Sequence, residues 1–78
     1  MMGSKNDMLA ALIQNARGNL VKHKVNVDIF LNNPIGVAEH SDYIETMQKE
    51  LDAIAHWEDQ IHVLQKYFGA EKYFGDDC

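Results

Sequence analysis

The sequence predicts an all-α fold, an antiparallel helical hairpin that dimerises into a four-helix bundle. Apolar residues recur at spacings of three and four over two stretches of similar length, and the single proline, Pro34, separates them. A lone hairpin of 78 residues with one cysteine is marginally stable, which favours self-association. Apolar residues outside the two stripes also favour self-association, because a single hairpin leaves them exposed to solvent: Leu12, Ile29, Leu31, Val63 and Tyr67.

The first predicted helix covers residues 4–32. Ser4 is a favourable N-cap with Asp7 three residues later, and Asn33 is biased out of the helical conformation because it precedes Pro34. A heptad pattern, here called the first seam, consists of Leu9, Ile13, Ala16, Leu20, His23, Val27 and Phe30. The alternating β-branched residues of the segment 25–29 leave a short strand as the alternative interpretation.

The second predicted helix covers residues 42–68 and follows a loop over residues 33–41. Asp42 and Glu45 form an acidic version of the capping box, and Gly69 is typical of the residue after a helix. The apolar stripe of this helix, the second seam, consists of Ile44, Met47, Leu51, Ile54, Trp57, Ile61, Leu64 and Phe68. Two successive spacings of three, ending at Trp57, interrupt the heptad as a stammer does.

The remaining segments flank this hairpin of residues 4–69. Residues 1–3 are predicted to be a disordered N-terminus, and residues 70–78 a flexible acidic-aromatic tail that repeats the Lys-Tyr-Phe-Gly of residues 66–69. The loop and the tail each carry apolar side chains that a solvated segment does not need. The simpler interpretation is that the loop side chains fold back over the end of the helix pair and that the tail is a frayed terminus. The alternative makes these side chains the candidate partner contacts: Ile35, Val37, Tyr73 and Phe74.

His23 is the polar member of the first seam. A polar residue at such a position fixes helix register and oligomeric state in coiled coils, and its burial among apolar residues would make assembly sensitive to pH. The other histidines do not follow a metal-ligand pattern, since His56 and His62 are six residues apart. Glu58 and His62 share a helix face, but solvated side chains are the simpler interpretation. We expect no metal site.

The patterns that carry enzyme chemistry are missing from the sequence. The five glycines are isolated from one another, which excludes a phosphate-binding loop, and the single cysteine, Cys78, is the terminal residue and lacks a fixed base. We therefore predict no catalytic residue, no cofactor and no enzymatic activity. The single cysteine is also typical of a reducing compartment.

The charge is unevenly distributed along the chain. The net charge of −5 divides into +1 over residues 1–41 and −6 over residues 42–78. A protein that binds nucleic acid directly needs a basic surface, so we expect no direct nucleic-acid binding by this chain. We also expect no membrane association, since no uncharged apolar run approaches the length of a membrane span and the N-terminus does not resemble a signal peptide.

The loop and the ends of the second helix resemble small helical proteins of marine tailed phages that have no assigned activity. The resemblance lies in residues 31–42, Ile44-Glu45-Thr46 and Leu64-Gln65-Lys66-Tyr67-Phe68, and covers roughly Val21 to Phe68. It implies a viral protein located in the cytoplasm of a bacterial host or associated with the virion. It supplies no functional residue.

Together these observations predict a non-enzymatic assembly or accessory protein that acts through helix-mediated protein–protein interaction, with a homo-oligomer as its first partner. The alternative is an acidic regulatory binder or inhibitor of a host or viral protein, including a nucleic-acid mimic. The two differ in whether the chain binds mainly itself or one other protein.

Overall fold

The computed structural model of the chain is a pair of α-helices, α1 (Lys5–Asn32) and α2 (His40–Phe68). The structure describes residues 4–33 and 40–70, and these residues include no strand. The predicted all-α helical hairpin is therefore confirmed, and the alternative strand over residues 25–29 is wrong because α1 continues through them. The helix α2 begins two residues earlier than predicted.

Local interactions explain where α1 begins and ends. The hydroxyl of Ser4, whose backbone is extended, accepts a hydrogen bond from the Asp7 N–H at 3.1 Å, as expected of an N-cap. At the other end, the N–H of Asn33 donates to the Phe30 carbonyl at 3.4 Å, a tightened last turn. Asn33 has left the helical conformation, as the following proline requires.

The C-terminus of α2 is closed by a glycine in the left-handed conformation. Gly69 has φ +74°, and the next N–H, that of Ala70, donates back to the Leu64 carbonyl at 3.1 Å. Ala70 is also buried, with only 5% of its surface exposed. The sequence assigned Ala70 to the flexible tail, but these contacts tie it to the end of α2.

The helices run antiparallel in a single register. The ring of Phe30 packs edge-on against the ring of Tyr43, with centroids 5.0 Å apart, and the side chain of His23 meets that of Glu50. The residue numbers of both pairs sum to 73, as an antiparallel pairing requires. The phenol of Tyr43 also donates to the Asn33 carbonyl at 2.7 Å, which ties the start of α2 to the end of α1.

The first seam faces α2 along its whole length. Ile13 and Ala16 are fully buried, with 0% of their surface exposed, and the other members are half-buried. The half-buried members are Leu9, Leu20, His23, Val27 and Phe30. These positions keep the spacings of four and three that the sequence shows. The residues of α1 that contact α2 are therefore those of the predicted first seam.

The second seam lies against α1 at five of its eight positions. Met47, Ile54, Trp57, Ile61 and Leu64 are half-buried against α1, whereas Ile44, Leu51 and Phe68 are exposed. The contact positions at the first two sites are Tyr43 and Glu50, each one residue earlier. When Tyr43 and Glu50 replace Ile44 and Leu51, the spacings alternate between four and three from Tyr43 to Leu64. The contact positions of α2 therefore contain no stammer.

Phe68 is exposed for a different reason. It keeps the heptad spacing after Leu64, but the register places it level with Lys5, where α1 begins. No apolar residue of α1 stands opposite, and 54% of the Phe68 surface remains exposed.

The hairpin is long and thin. Its extents are 54 × 21 × 19 Å, and its radius of gyration is 16.0 Å, whereas a compact chain of this length has about 11.5 Å. Among the described residues, only Ile13, Ala16 and Ala70 expose less than a tenth of their surface. One row of contacts between two helices therefore forms nearly the whole core.

Candidate functional site

A polar layer crosses the middle of the hairpin and consists of His23, Asn26 and Glu50. One carboxylate oxygen of Glu50, Oε1, lies 2.6 Å from Nδ1 of His23 and accepts a second hydrogen bond from the Asn26 amide at 3.1 Å. An ionised carboxylate only accepts, so Nδ1 of His23 carries the hydrogen. The His23 and Glu50 side chains are each about one-fifth exposed, which places the layer at the edge of the contact.

These hydrogen bonds change the acidity of Glu50. The bond from the His23 ring, and then the bond from Asn26, hold the pKa of this carboxyl below its ordinary value of 4.5. The sequence predicted that His23 would lie among apolar neighbours. Its neighbour in the layer is a carboxylate instead, so a charged imidazole has a partner of opposite charge here.

An open apolar groove of about 400 Å³ lies on one side of the hairpin, along the C-terminal half of α1. Three exposed apolar side chains of α1 form its wall, namely Val21, Val25 and Leu31, and Ile54 of α2 contributes to its floor. The remaining lining residues are Val27, Lys24 and Asp28. Leu51 lies three residues before Ile54 and extends this apolar surface along the same side of α2.

A second open groove, of about 510 Å³, lies on α2 alone and is acidic. Glu58, Asp59 and His62 line it together with Ala55, Val63, Lys66 and Tyr67. Within the described residues, no group of three histidine, cysteine or acidic side chains is arranged to hold a metal ion. His56 instead packs edge-on against Trp57, with centroids 4.7 Å apart. The structure does not bring the histidines together.

The apolar residues predicted to lie outside the seams are all exposed, but they do not form one surface. Leu31 lines the apolar groove, and Val63 and Tyr67 line the acidic groove. Leu12 and Ile29 line neither. The candidate contacts of the loop and tail, Ile35, Val37, Tyr73 and Phe74, lie outside the described residues.

Sequence reasoning missed two parts of the site. Glu50 is not a member of the predicted second seam, although an unbroken heptad counted back from Leu64 selects it. Val21 and Val25 were not singled out as a surface. Their spacing of four places both on one side of α1, next to the stripe that forms the seam.

Comparison with known proteins finds no matching family model, curated protein or solved structure. Neither helix of the described chain combines the length and apolar character that crossing a membrane requires.

Proposed function

We propose that this chain is a non-enzymatic assembly or accessory protein whose working form is a homo-oligomer of hairpins. The observation that carries the proposal is the apolar surface that one hairpin leaves exposed on both helices. Val25, Leu31 and Leu51 are each about half or more exposed, although each is large and apolar. An exposed patch of this kind on a small protein is typical of an interaction surface.

The surface area has the magnitude that such an interface needs. The chain exposes 5803 Å², whereas a compact monomer of its mass exposes about 4,800 Å². The excess of about 1,000 Å² is comparable to the roughly 800 Å² that each partner buries in a standard interface. Pairing of two hairpins into a four-helix bundle would cover this excess.

Stability argues in the same direction. The hairpin is held by one row of half-buried side chains with a single fully buried large residue, Ile13. Burial of apolar area contributes about 25 cal/mol per Å², and two helices of this length have little area to bury against each other. A second copy supplies the missing burial without a metal or a disulfide.

Sedimentation analysis tests the proposal. We expect a mass of about twice 8.9 kDa, or a larger multiple, between about 1 and about 100 µM protein, and a melting temperature that rises with concentration. Because apolar contacts carry the association, it should persist in about 0.5 M salt, where exposed charges are screened. A monodisperse monomer with a cooperative melt that is independent of concentration would contradict the proposal.

The resemblance to proteins of tailed phages gives this proposal a setting. The proposed location is the cytoplasm of an infected bacterium or the virion. Antibody detection in purified particles and in infected-cell lysate separates the two locations.

The alternative function, an acidic binder that inhibits another protein, is favoured by a row of charges on α2. Glu45, Asp52 and Asp59 are spaced seven residues apart and are all exposed. Seven residues are two helical turns, so the carboxylates follow one line about 10 Å apart. A linear array of negative charge is the feature by which a protein resembles a nucleic-acid backbone.

A basic peptide tests this alternative. The variant with Glu45→Gln, Asp52→Asn and Asp59→Asn should lose most of its salt-sensitive binding to a polylysine probe, because the row is broken. The control removes the same charge elsewhere, with Asp7→Asn and Asp42→Asn combined with Glu58→Gln. Equal loss in both variants would show that net charge, and not the row, binds the probe.

A further inference from the structure

We infer that the apolar groove is the contact between two copies of the chain, in which α1 packs antiparallel against the α1 of its partner about a two-fold axis at the level of Asn26. This inference rests on the proposed function and names the surface that the oligomer uses. The occupant is a second copy of this chain, and the argument comes from the arrangement of the residues that line the groove.

Four of the α1 residues that line the groove are symmetric in number and in chemistry about position 26. An antiparallel contact between two identical helices pairs residues whose numbers have a constant sum, and here that sum is 52. The resulting pairs are Val21 with Leu31 and Lys24 with Asp28. The contact therefore places apolar residues at both ends and opposite charges between them.

The charges of the groove match those of a second copy. Each copy brings one cation, Lys24, and one anion, Asp28, and a two-fold axis places Lys24 beside the partner's Asp28 at two equivalent sites. A partner of one charge sign would leave either Lys24 or Asp28 without a counterion in the contact. The groove is thus neutral and self-complementary although the chain as a whole carries −5.

The apolar walls supply the burial. Val21, Val25 and Leu31 stand along one side of α1, and Ile54 lies between α1 and α2 at the base. Facing helices approach to about 8–10 Å, which removes such side chains from water. Because Leu51 extends the surface on the same side of α2, the partner's α1 also covers part of the second helix. Two hairpins joined this way form a four-helix arrangement with α1 at its centre.

Charge exchange tests the inference. Lys24→Glu places two acids in the groove and Asp28→Lys places two bases, so each variant opposes a copy of itself at both sites. We expect the dissociation constant of each homodimer to rise by about tenfold to a hundredfold. An equimolar mixture of the two variants restores opposite charges at both sites and should associate as tightly as the wild type. The double variant Lys24→Glu/Asp28→Lys should also recover.

Two controls separate this contact from changes in charge or in helix stability. Glu45 and Lys49 form another exposed pair spaced by four, so Glu45→Lys and Lys49→Glu make the same charge changes away from the groove. We expect these variants to keep the wild-type dissociation constant within about twofold. The mixing experiment covers variants that fold poorly alone, because rescue then appears as restored helicity.

The outcomes distinguish the inference from the proposed function. A wild type that stays monomeric would refute both. An oligomeric wild type whose dissociation constant is unchanged by Lys24→Glu and Asp28→Lys would leave the proposed function standing and place the interface elsewhere. Single variants that weaken association without rescue on mixing would also overturn the inference, since their charges then do not face each other across the two-fold axis.

Discussion

Two glycines of this chain should respond to the same substitution with opposite signs. Gly18 lies in the middle of α1 and Gly69 directly follows α2. A Cβ atom built on either glycine meets nothing within 4 Å, so neither change creates a clash or a new contact. The difference lies in the backbone, because Gly69 has φ +74° and Gly18 is helical.

The magnitudes follow from these conformations. Alanine in place of glycine stabilises a helix interior by about 1 kcal/mol, so Gly18→Ala should raise the free energy of unfolding by that amount. A side chain in the left-handed conformation costs about 1–2 kcal/mol, so Gly69→Ala should lower it. For a chain of this size, 1 kcal/mol corresponds to a shift of about 4–8 °C in melting temperature.

Thermal denaturation followed by circular dichroism at 222 nm measures both changes, with all samples at one protein concentration so that association contributes equally. The two variants add the same single methyl group and therefore control for each other. A destabilising Gly18→Ala would show that α1 is not a continuous helix there. A neutral Gly69→Ala would show that the chain does not turn left-handed after Phe68.

Three further predictions concern the seams and the polar layer. Ile13→Ala should lower the free energy of unfolding by about 2–5 kcal/mol and Leu12→Ala by less than about 1 kcal/mol in urea denaturation, because only Ile13 is fully buried; similar losses would contradict this burial. Ile54→Asp should lower the melting temperature more than Leu51→Asp at one protein concentration, because Ile54 is half-buried against α1 whereas Leu51 is 47% exposed in a single hairpin; equal losses would contradict this burial. Glu50 should make the free energy of unfolding depend on pH. Its pKa is below 4.5 in the folded chain, so as pH falls the Glu50 carboxylate is protonated in the unfolded chain first. The stabilisation that is present above pH 4.5 is therefore lost as pH falls through the folded pKa. Urea titrations should therefore show a steeper loss below pH 4.5 in the wild type than in Glu50→Gln, and equal slopes would refute the role of the layer.

The fold of α1 could be predicted from the sequence because local and periodic signals agree. Ser4 and Asn33 lie where the structure places the two caps, and the first seam keeps one spacing throughout. Each apolar residue of the first seam is buried or half-buried against α2. Local chemistry and hydrophobic periodicity therefore specify this helix without any information from α2.

The register of α2 could not be obtained in the same way. Apolar character alone selects Ile44 and Leu51, each one residue after the position that faces α1. Tyr43 and Glu50 occupy the facing positions because each has a partner on α1, the ring of Phe30 and the imidazole of His23 respectively. Such partners belong to the other helix, so a pattern read along one helix does not contain them.

The apolar groove was hidden for a related reason. Val21 and Val25 have no assigned place in a hairpin whose only contact is its seam, and their significance depends on Ile54 from the other helix. The sequence correctly indicates that apolar residues exceed what two helices bury. Which of them share a surface depends on the register, and the register depends on the polar layer.

The registers that lie one heptad to either side of the observed one show why the register depends on the polar layer. A shift of α2 by one heptad would keep apolar residues in contact but would move Glu50 level with Phe30 or with Ala16. Neither residue offers the ring nitrogen that His23 provides, although Asn33 or Asn19 would then stand in the place of Asn26. A half-buried carboxylate that loses its hydrogen bond from His23 is disfavoured, so both slipped pairings are destabilised relative to the observed one. We infer that the polar layer selects the register, as buried polar residues do in coiled coils. The same selection brings Ile54 to the groove that α1 residues line, at which the second copy is proposed to bind.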